Sequence, residues 1–212
     1  MGCPFDIKPR WERRKEARPQ ELLAAALDLF VERGFALTRL EDVAKRAGVS
    51  KGTLYLYFTN KEELFKAVVR ESIVPTLGQA EAMVDSFEGS STELLRMVVC
   101  GWWQQIGSTK LSGIAKLMLS ECGNFPELAQ FYHDEVIRRS DDLITTLLQR
   151  GMDSGEFRTV DPVQLTKVMV APILMLMLWK HSFGAAHIAG SNPEEYLNNF
   201  IDLCLHGLLQ KT

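Results

Sequence analysis

The sequence predicts an all-α protein of about nine helices, a three-helix N-terminal unit followed by a larger helical part. Helix-start signals recur along the chain, and the apolar residues between them repeat near the 3.6-residue period of an α-helix. No segment shows the sustained alternation with β-branched residues that predicts a strand. With 46% hydrophobic and 24% charged residues among 212, the composition is that of a folded globular protein and excludes a disordered chain.

The first helix is predicted by a single apolar stripe close to the N-terminus. Leu23, Ala26, Leu27 and Phe30 recur at helical spacing, and Gly34 is placed to end the helix in the left-handed conformation.

Three further helices follow at short intervals. A capping box at Thr38 and Glu41 predicts the start of the second helix, which Gly48 stops. A third, short helix is predicted over about 50–58. The fourth starts at Asn60 as N-cap and runs to about residue 87, with Pro75 breaking or kinking it.

Longer helices are predicted beyond the Gly/Ser-rich residues 88–91. Ser90 and Glu93 form a second capping box, while Asp161 and Asn192 each precede a proline at the first helical position. The predicted spans are about 92–107, 111–122, 126–150, 162–183 and 193–210.

Several protein classes are excluded by cysteine spacing and hydropathy. The four cysteines form no close pair, which excludes a C-x-x-C redox motif and a zinc-finger ligand set. The N-terminus lacks the apolar stretch of a secretory signal. The longest apolar run, 168–179, has 12 residues, where a membrane span needs about 18 or more, so it predicts a buried helix. We expect a cytoplasmic protein.

The net charge of −3 conceals an asymmetry along the chain. Residues 1–61 contain 12 Lys and Arg against 8 Asp and Glu, whereas residues 62–212 contain 12 against 19. A basic N-terminal segment on an acidic body suggests that only the N-terminal part binds a polyanion.

Residues 38–61 have the sequence form of a helix-turn-helix. Two short helices meet at Gly48, which supplies the backbone freedom for a tight turn, and small Ala44 lets the helices cross closely. No acidic residue occurs from Ala44 to Asn60. A second helix without carboxylates can lie against phosphates in a major groove.

The segment A-G-V-S-K-G-T-L-Y-L-Y-F-x-N-K-E-E-L resembles the DNA-binding region of the tetracycline repressor (TetR) family. It is preceded by A-A-L-D-L-F-x-E-R-G-F and T-R-L-E-D-V-A, and the resemblance covers about residues 17–70. It implies an all-helical homodimer, usually a repressor. Its N-terminal helices would bind operator DNA, and its C-terminal body would bind a small-molecule inducer and the partner subunit.

The resemblance also implies which residues contact DNA. Lys51, Gly52 and Thr53 would face bases at the start of the third helix. Phosphate contacts would come from the residues Thr38, Arg39, Tyr55, Tyr57 and Lys61. Tyr57 departs mildly from the family, in which many members have His, and both side chains can donate to a phosphate.

The aromatic residues of this segment also have a plain structural interpretation. Without the surrounding pattern, Tyr55 and Tyr57 would be taken as surface aromatics that cap a helical core. Phe58, Leu54 and Leu40 are expected to pack inside. The basic residues 8–15 within the leader 1–16 either add DNA contacts or form a disordered, solubilising arm, and the second alternative is favoured.

The C-terminal body is rich in methionine and tryptophan at helical spacings. Singly, each such residue is more often core than ligand contact. Together they favour a roomy apolar pocket for a mostly apolar ligand, aromatic or fatty, that moves the fourth helix. The predicted ligand-binding residues are Trp102, Trp103, Met118, Phe131 and Met169.

Dimerisation is predicted through the last two helices, about 162–183 and 193–210. The first is apolar all round, and the second carries more apolar residues than one narrow stripe, so two copies would bury the surplus in a four-helix bundle. The domains expected are the leader 1–16, a DNA-binding domain 17–77 with its helix-turn-helix at about 40–59, and a ligand-binding and dimerisation domain 78–212.

An enzyme is the weaker alternative. The sequence lacks the G-x-S-x-G, G-x-G-x-x-G, H-E-x-x-H and Walker motifs, and its histidines have no metal-ligand spacing. Neither a metal nor a cofactor is expected. The alternative that stays open is a helical enzyme or small-molecule-binding bundle without a DNA function.

Overall fold

The computed structural model describes residues 17–183 and 192–210, so the predicted leader 1–16 lies outside the described residues. The described part is helical, and two turns of π-helix, Trp103–Gly107 and His133–Ile137, interrupt it. Its α-helices are α1 (Ala17–Arg33), α2 (Leu40–Arg46), α3 (Lys51–Tyr55), α4 (Lys61–Ser72), α5 (Val74–Ser86), α6 (Ser91–Trp102), α7 (Ser112–Glu121), α8 (Pro126–Tyr132), α9 (Arg138–Asp153), α10 (Pro162–Ser182) and α11 (Pro193–Leu208). When joined across the π turns and the break at Ile73, these segments form nine helical stretches within the described residues, the predicted number.

Most of the predicted helix starts are confirmed in atomic detail. Asn60 accepts from the backbone N–H of Glu63 at 2.7 Å, and Ser90 and Glu93 form the reciprocal capping box. Asp161 and Asn192 also cap their helices through their side chains. These side chains satisfy N–H groups that would otherwise lack partners at a helix start.

The capping box predicted at Thr38 is wrong. Arg39 occupies the N-cap position of α2 and makes no side-chain cap. Thr38 is 2% exposed, and its hydroxyl donates to the carbonyl oxygens of Gly34 at 2.7 Å and Leu29 at 3.2 Å. A buried hydroxyl needs a partner, and here two carbonyls at the end of α1 accept its hydrogen bond. Thr38 therefore fastens α1 to the segment that leads into α2.

The predicted break near Pro75 separates α4 from α5. Ile73 ends the first helix and precedes the second, and Pro75 lies in the first turn of α5, where its missing N–H removes no helical hydrogen bond. The two helices are therefore distinct elements joined at one residue.

The apolar core of the N-terminal helices continues into the body. Phe35 stacks on Phe30 and meets Phe125 edge-to-face, with ring centroids 5.6 Å and 4.8 Å away, and Phe125 precedes α8. The same cluster of buried residues takes side chains from α1 to α4 and from α7 and α8. Helices α1 to α4 therefore pack on α7 and α8 through one continuous apolar core.

Helix α10 is long and apolar enough to cross a membrane by length and composition, yet it packs on α7, α9 and α11. Within one chain, 22% of its most apolar segment is buried. Val168 and Met175 remain 65% and 42% exposed. The expectation of a buried helix is therefore met on one face only.

Candidate DNA interface and ligand cavity

The turn between α2 and α3 is closed by local hydrogen bonds. Gly48 adopts φ +66°, a left-handed conformation that uses the backbone freedom expected of it at this turn. The backbone N–H of Val49 donates to the carbonyl of Ala44 at 2.9 Å, and Ser50 caps α3 by accepting from the N–H of Thr53 at 3.1 Å. Leu54 is fully buried against α2. The orientation of α3 across α2 is therefore fixed.

The opposite face of α3 and the residues after it are open to solvent. Lys51 and Gly52 are exposed and Thr53 is half-buried. Tyr55 and Tyr57 are 43% and 40% exposed. As expected, Leu40, Leu54 and Phe58 are buried instead.

Two of the predicted base-facing side chains have partners within the chain. Lys51 pairs with Glu41 at 2.5 Å, and this carboxylate raises the pKa of the lysine. The Thr53 hydroxyl lies 2.8 Å from that of Ser50. All of these groups are at the surface, where such contacts are weak and readily exchanged for a ligand.

Two of the predicted phosphate-facing side chains are engaged more deeply. Thr38 is buried, as described above. The ammonium of Lys61 donates to the carbonyls of Phe35 at 2.6 Å and Ala36 at 3.1 Å, and it lies 4.5 Å from the centroid of the Phe35 ring. Burial lowers the pKa of Lys61. In this conformation Lys61 links the start of α4 to the turn after α1 by hydrogen bonds. Arg39, another of the predicted phosphate contacts, is exposed.

A cavity of about 330 Å³ lies in the body among α5 to α10. Its volume is at the lower end of the range of small-molecule sites, about 300–1,000 Å³. The wall is overwhelmingly apolar and consists of Leu77, Val99, Trp102, Ala115, Met118, Leu119, Cys122, Ala129, Tyr132, Val136, Ile137, Ser140, Asp141, Leu143, Ile144, Val170, Ile173, Leu174 and Met177.

Of the five predicted ligand-binding residues, Trp102 and Met118 line this cavity. Trp103, Phe131 and Met169 do not belong to its wall: each is buried in an apolar cluster. On α10, the cavity face runs through Val170, Ile173, Leu174 and Met177. Adjacent residues of a helix point about 100° apart, and Met169, one position before Val170, falls outside this face and is buried in the neighbouring apolar cluster.

The π turn His133–Ile137 forms part of the cavity wall, which the sequence did not indicate. Tyr132, directly before the turn, lines the cavity, and so do Val136 and Ile137 within the turn. Burial raises the pKa of the Tyr132 hydroxyl well above its usual range. π-Turns are rare and often lie at functional sites.

Asp141 is the charged side chain of the cavity wall. It is half-buried in the first turn of α9, and burial raises the pKa of its carboxyl. Among the described residues no hydrogen bond or ion pair to its carboxylate is found. Sequence reasoning missed it because a lone aspartate on a helix has the pattern of a solvated surface residue.

Ion pairs join the cavity wall to neighbouring helices. Glu135, in the π turn, accepts from Arg70 of α4 at 3.0 Å and 3.3 Å. Arg139, on α9, donates to both oxygens of Glu81 on α5 at 2.8 Å and 2.6 Å. The wall of the cavity therefore contacts the helix that follows the helix-turn-helix.

A second feature of the body is an apolar groove between α10 and α11. Val168 and Leu203 lie on it and are 65% and 74% exposed. Phe200 and Cys204 also line it.

His181 is the titratable group held at the end of α10. Its Nε2 lies 2.7 Å from the Ser112 hydroxyl on α7. Its pKa is lowered by burial, and by the charges of Lys180 and Lys116. In the described part of the chain, no three His, Cys, Asp or Glu side chains are grouped to hold a metal ion.

Two family models match the chain. That of bacterial regulatory proteins, tetR family, matches residues 22–68, and that of the tetracyclin repressor-like C-terminal domain matches residues 88–189. The first covers α2 and α3 and the second covers most of the cavity wall.

Similar proteins include two regulators of Bacillus subtilis (strain 168). The uncharacterized HTH-type transcriptional regulator YfiR is 29% identical over 161 residues, 70% of this chain and 72% of its own. The fatty acid metabolism regulator protein is 26% identical over 159 residues, 74% of this chain and 80% of its own. Among solved structures, the regulator FadR from Bacillus subtilis in complex with stearoyl-CoA superposes with a TM-score of 0.70 at 20% identity, covering 89% of this chain and 98% of that one.

Proposed function

The chain belongs to the TetR family of bacterial transcriptional regulators, which are not enzymes, and from this premise we propose that it is a repressor released from DNA by a small ligand. In the proposal, a homodimer binds a palindromic operator, and a mostly apolar inducer lowers its affinity for that operator. Regulators of this family are soluble DNA-binding proteins, which supports a cytoplasmic location.

The proposed DNA contacts fall into two groups. The start of α3 (Lys51, Gly52 and Thr53) reads base edges. Arg39, Tyr55 and Tyr57 are proposed to bind phosphates, supported by their exposure around the same face. The Thr38 hydroxyl is already hydrogen-bonded within the chain, so we propose that only the backbone of Thr38 contacts a phosphate. Lys61 contacts phosphate only if DNA replaces its two carbonyl partners.

The proposed inducer site is the apolar cavity, with Trp102 and Met118 among its contacts. An aromatic or fatty body suits walls that are almost wholly apolar. A relative that regulates fatty acid metabolism is consistent with a ligand of this kind.

The proposal is carried by the position of the π turn His133–Ile137, which contacts both the cavity and α4. One side of it lines the cavity through Val136 and Ile137, and Glu135 on its other side pairs with Arg70 of α4. A ligand that moves the turn thereby biases the position of α4 and of the DNA-reading helices. Coupling of this kind is typically worth about 1–3 kcal/mol.

Dimerisation is proposed through α10 and α11. Their groove leaves large apolar side chains, including Val168 and Leu203, in water in a single chain. A two-fold four-helix bundle would bury them and would place two recognition helices about 34–36 Å apart, or a multiple of that distance. We keep the division into a DNA-binding domain 17–77 and a body 78–212 as part of the proposal.

The test begins with selection of the operator from random DNA, followed by a screen of apolar metabolites for compounds that release it. Each active compound is then titrated into operator complexes of the variants Leu143→Ala and Leu147→Ala, and the concentration that releases the DNA is measured. Both leucines are buried on α9, but Leu143 alone of the two lines the cavity.

We expect Leu143→Ala to raise the inducer concentration needed for release by about tenfold or more, since each lost methylene contact is worth about 1–3 kcal/mol. The control Leu147→Ala should lower stability and leave the inducer concentration unchanged. Equal responses of the two variants, or failure to select any DNA sequence, would contradict the proposal.

A further inference from the structure

We propose that the cavity selects ligands that carry a positive charge on an apolar body, with Asp141 as the counter-ion. This deepens the proposed function, because it names the chemical class of the inducer for the same cavity. The inference concerns binding alone and needs no assumption about DNA.

Among the described residues, the cavity wall offers one charged group to a ligand, Asp141. Asp141 and its neighbour Ser140 are polar, and apart from the hydroxyl of Tyr132 and the thiol of Cys122 the rest of the described wall consists of apolar side chains and Trp102. A half-buried carboxylate without an ion-pair partner loses hydration that no described residue replaces. A cationic ligand would supply the missing partner.

The charged groups around Asp141 do not neutralise it. Lys167 on α10, Asp142 on α9 and His133 in the π turn all influence its carboxyl, but none of them forms an ion pair with it among the described residues. Arg139, two residues before Asp141, donates to both oxygens of Glu81. The site for a positive charge beside Asp141 is therefore left to the ligand.

The wall also argues against an anionic ligand. No lysine, arginine or histidine is among the described residues that line the cavity. A fatty carboxylate in this space would approach Asp141 without a counter-ion of its own, and two like charges in an apolar site repel strongly.

The mouth of the cavity suits the apolar part of such a ligand. Leu119 and Ile137 line the cavity and are 55% and 42% exposed. An alkyl or aromatic group can lie between them while the cationic group reaches Asp141. The arrangement fits an amphiphilic cation.

The test uses calorimetric titration of the full-length protein with three probes that share a ten-carbon alkyl chain, each at concentrations too low for aggregation. Decyltrimethylammonium, decanol and decanoate differ in the charge of the head group and share the same chain. We expect the ammonium to bind at least tenfold more tightly than decanoate, with decanol between them. The variants Asp141→Asn and Asp142→Asn change net charge equally, but Asp142 is exposed and does not line the cavity.

Asp141→Asn should abolish the preference for the ammonium, whereas Asp142→Asn should keep it within about twofold. Equal affinity of the three probes for the natural protein, or equal effects of the two variants, would overturn the inference. If a neutral compound releases operator DNA and charge has no influence, the inference fails and the proposed function stands. If the ammonium binds selectively and no ligand ever releases DNA, the inference stands and the proposed induction fails.

Discussion

Replacing Gly52 by alanine separates the DNA-binding role of α3 from its stability. Gly52 is exposed in the first turn of α3, and a Cβ built there meets one atom within 4 Å, the Ser50 hydroxyl at 3.9 Å, which is ordinary van der Waals contact. Alanine is favoured over glycine in a helix interior by about 0.8–1.0 kcal/mol, and by less in the first turn. The free energy of unfolding should therefore stay the same or rise by up to about 1 kcal/mol.

Affinity for the operator should move in the opposite direction. If the backbone of Gly52 approaches a base edge, the added methyl group displaces α3 and weakens the neighbouring contacts, each worth about 1–3 kcal/mol. We expect operator affinity to fall about 10- to 100-fold, because 1.4 kcal/mol corresponds to tenfold.

Fluorescence anisotropy with labelled operator and urea denaturation measure the two quantities. Gly101→Ala is the matched control: Gly101 is also helical, no atom lies within 4 Å of a Cβ built there, and it is on α6. The control should gain stability and bind DNA normally. Undiminished operator affinity of Gly52→Ala would refute the placement of this residue against DNA.

Three further changes test other contacts. Lys61→Ala should lower the free energy of unfolding by about 1–3 kcal/mol, because two carbonyls lose their donor. The control Lys45→Ala, at an exposed lysine, should leave it unchanged. Equal urea midpoints of the two variants would contradict the structural role of Lys61. Leu203→Glu should yield monomers in sedimentation, and Leu119→Glu, at another exposed apolar site, on α7, should leave the dimer intact. For His181, whose pKa is lowered in the fold, the unfolded chain binds its proton more readily. Its contribution to stability is therefore complete above a pH of about 6.5 and is lost as the pH falls below that value. Between pH 8 and pH 5, the free energy of unfolding measured by urea titration should fall less for His181→Gln than for the natural protein.

The sequence predicted best those features that depend on residues close together in the chain. The left-handed glycine Gly34 and the caps Asn60 and Asp161 depend on local chemistry, and the structure confirms each of them. The exclusion of Leu54 from the surface likewise follows from helical spacing within one short segment.

Features set by tertiary neighbours were predicted less well. Thr38 has a capping-box sequence, but carbonyls at the end of α1 take its hydroxyl. The choice between Trp102 and Trp103 for the cavity depends on helix rotation at the point where a π turn begins, and periodicity does not resolve that. Asp141 faces the cavity only because α9 follows another π turn and packs beside α10.

The strengths of two ion pairs indicate which helix a ligand would displace in the proposed mechanism. Arg139 and Glu81 form two short hydrogen bonds to separate oxygens, so α9 and α5 are held as one unit. Arg70 donates twice to a single oxygen of Glu135, at longer distances, and its side chain is more exposed than that of Arg139. Of the two contacts this second one costs less to break. Ile73 donates to the carbonyl of Val69 on α4 and accepts from the N–H of Leu77 on α5, so the joint between the two helices is this single residue, and in the proposed mechanism α4 moves relative to α5 about it.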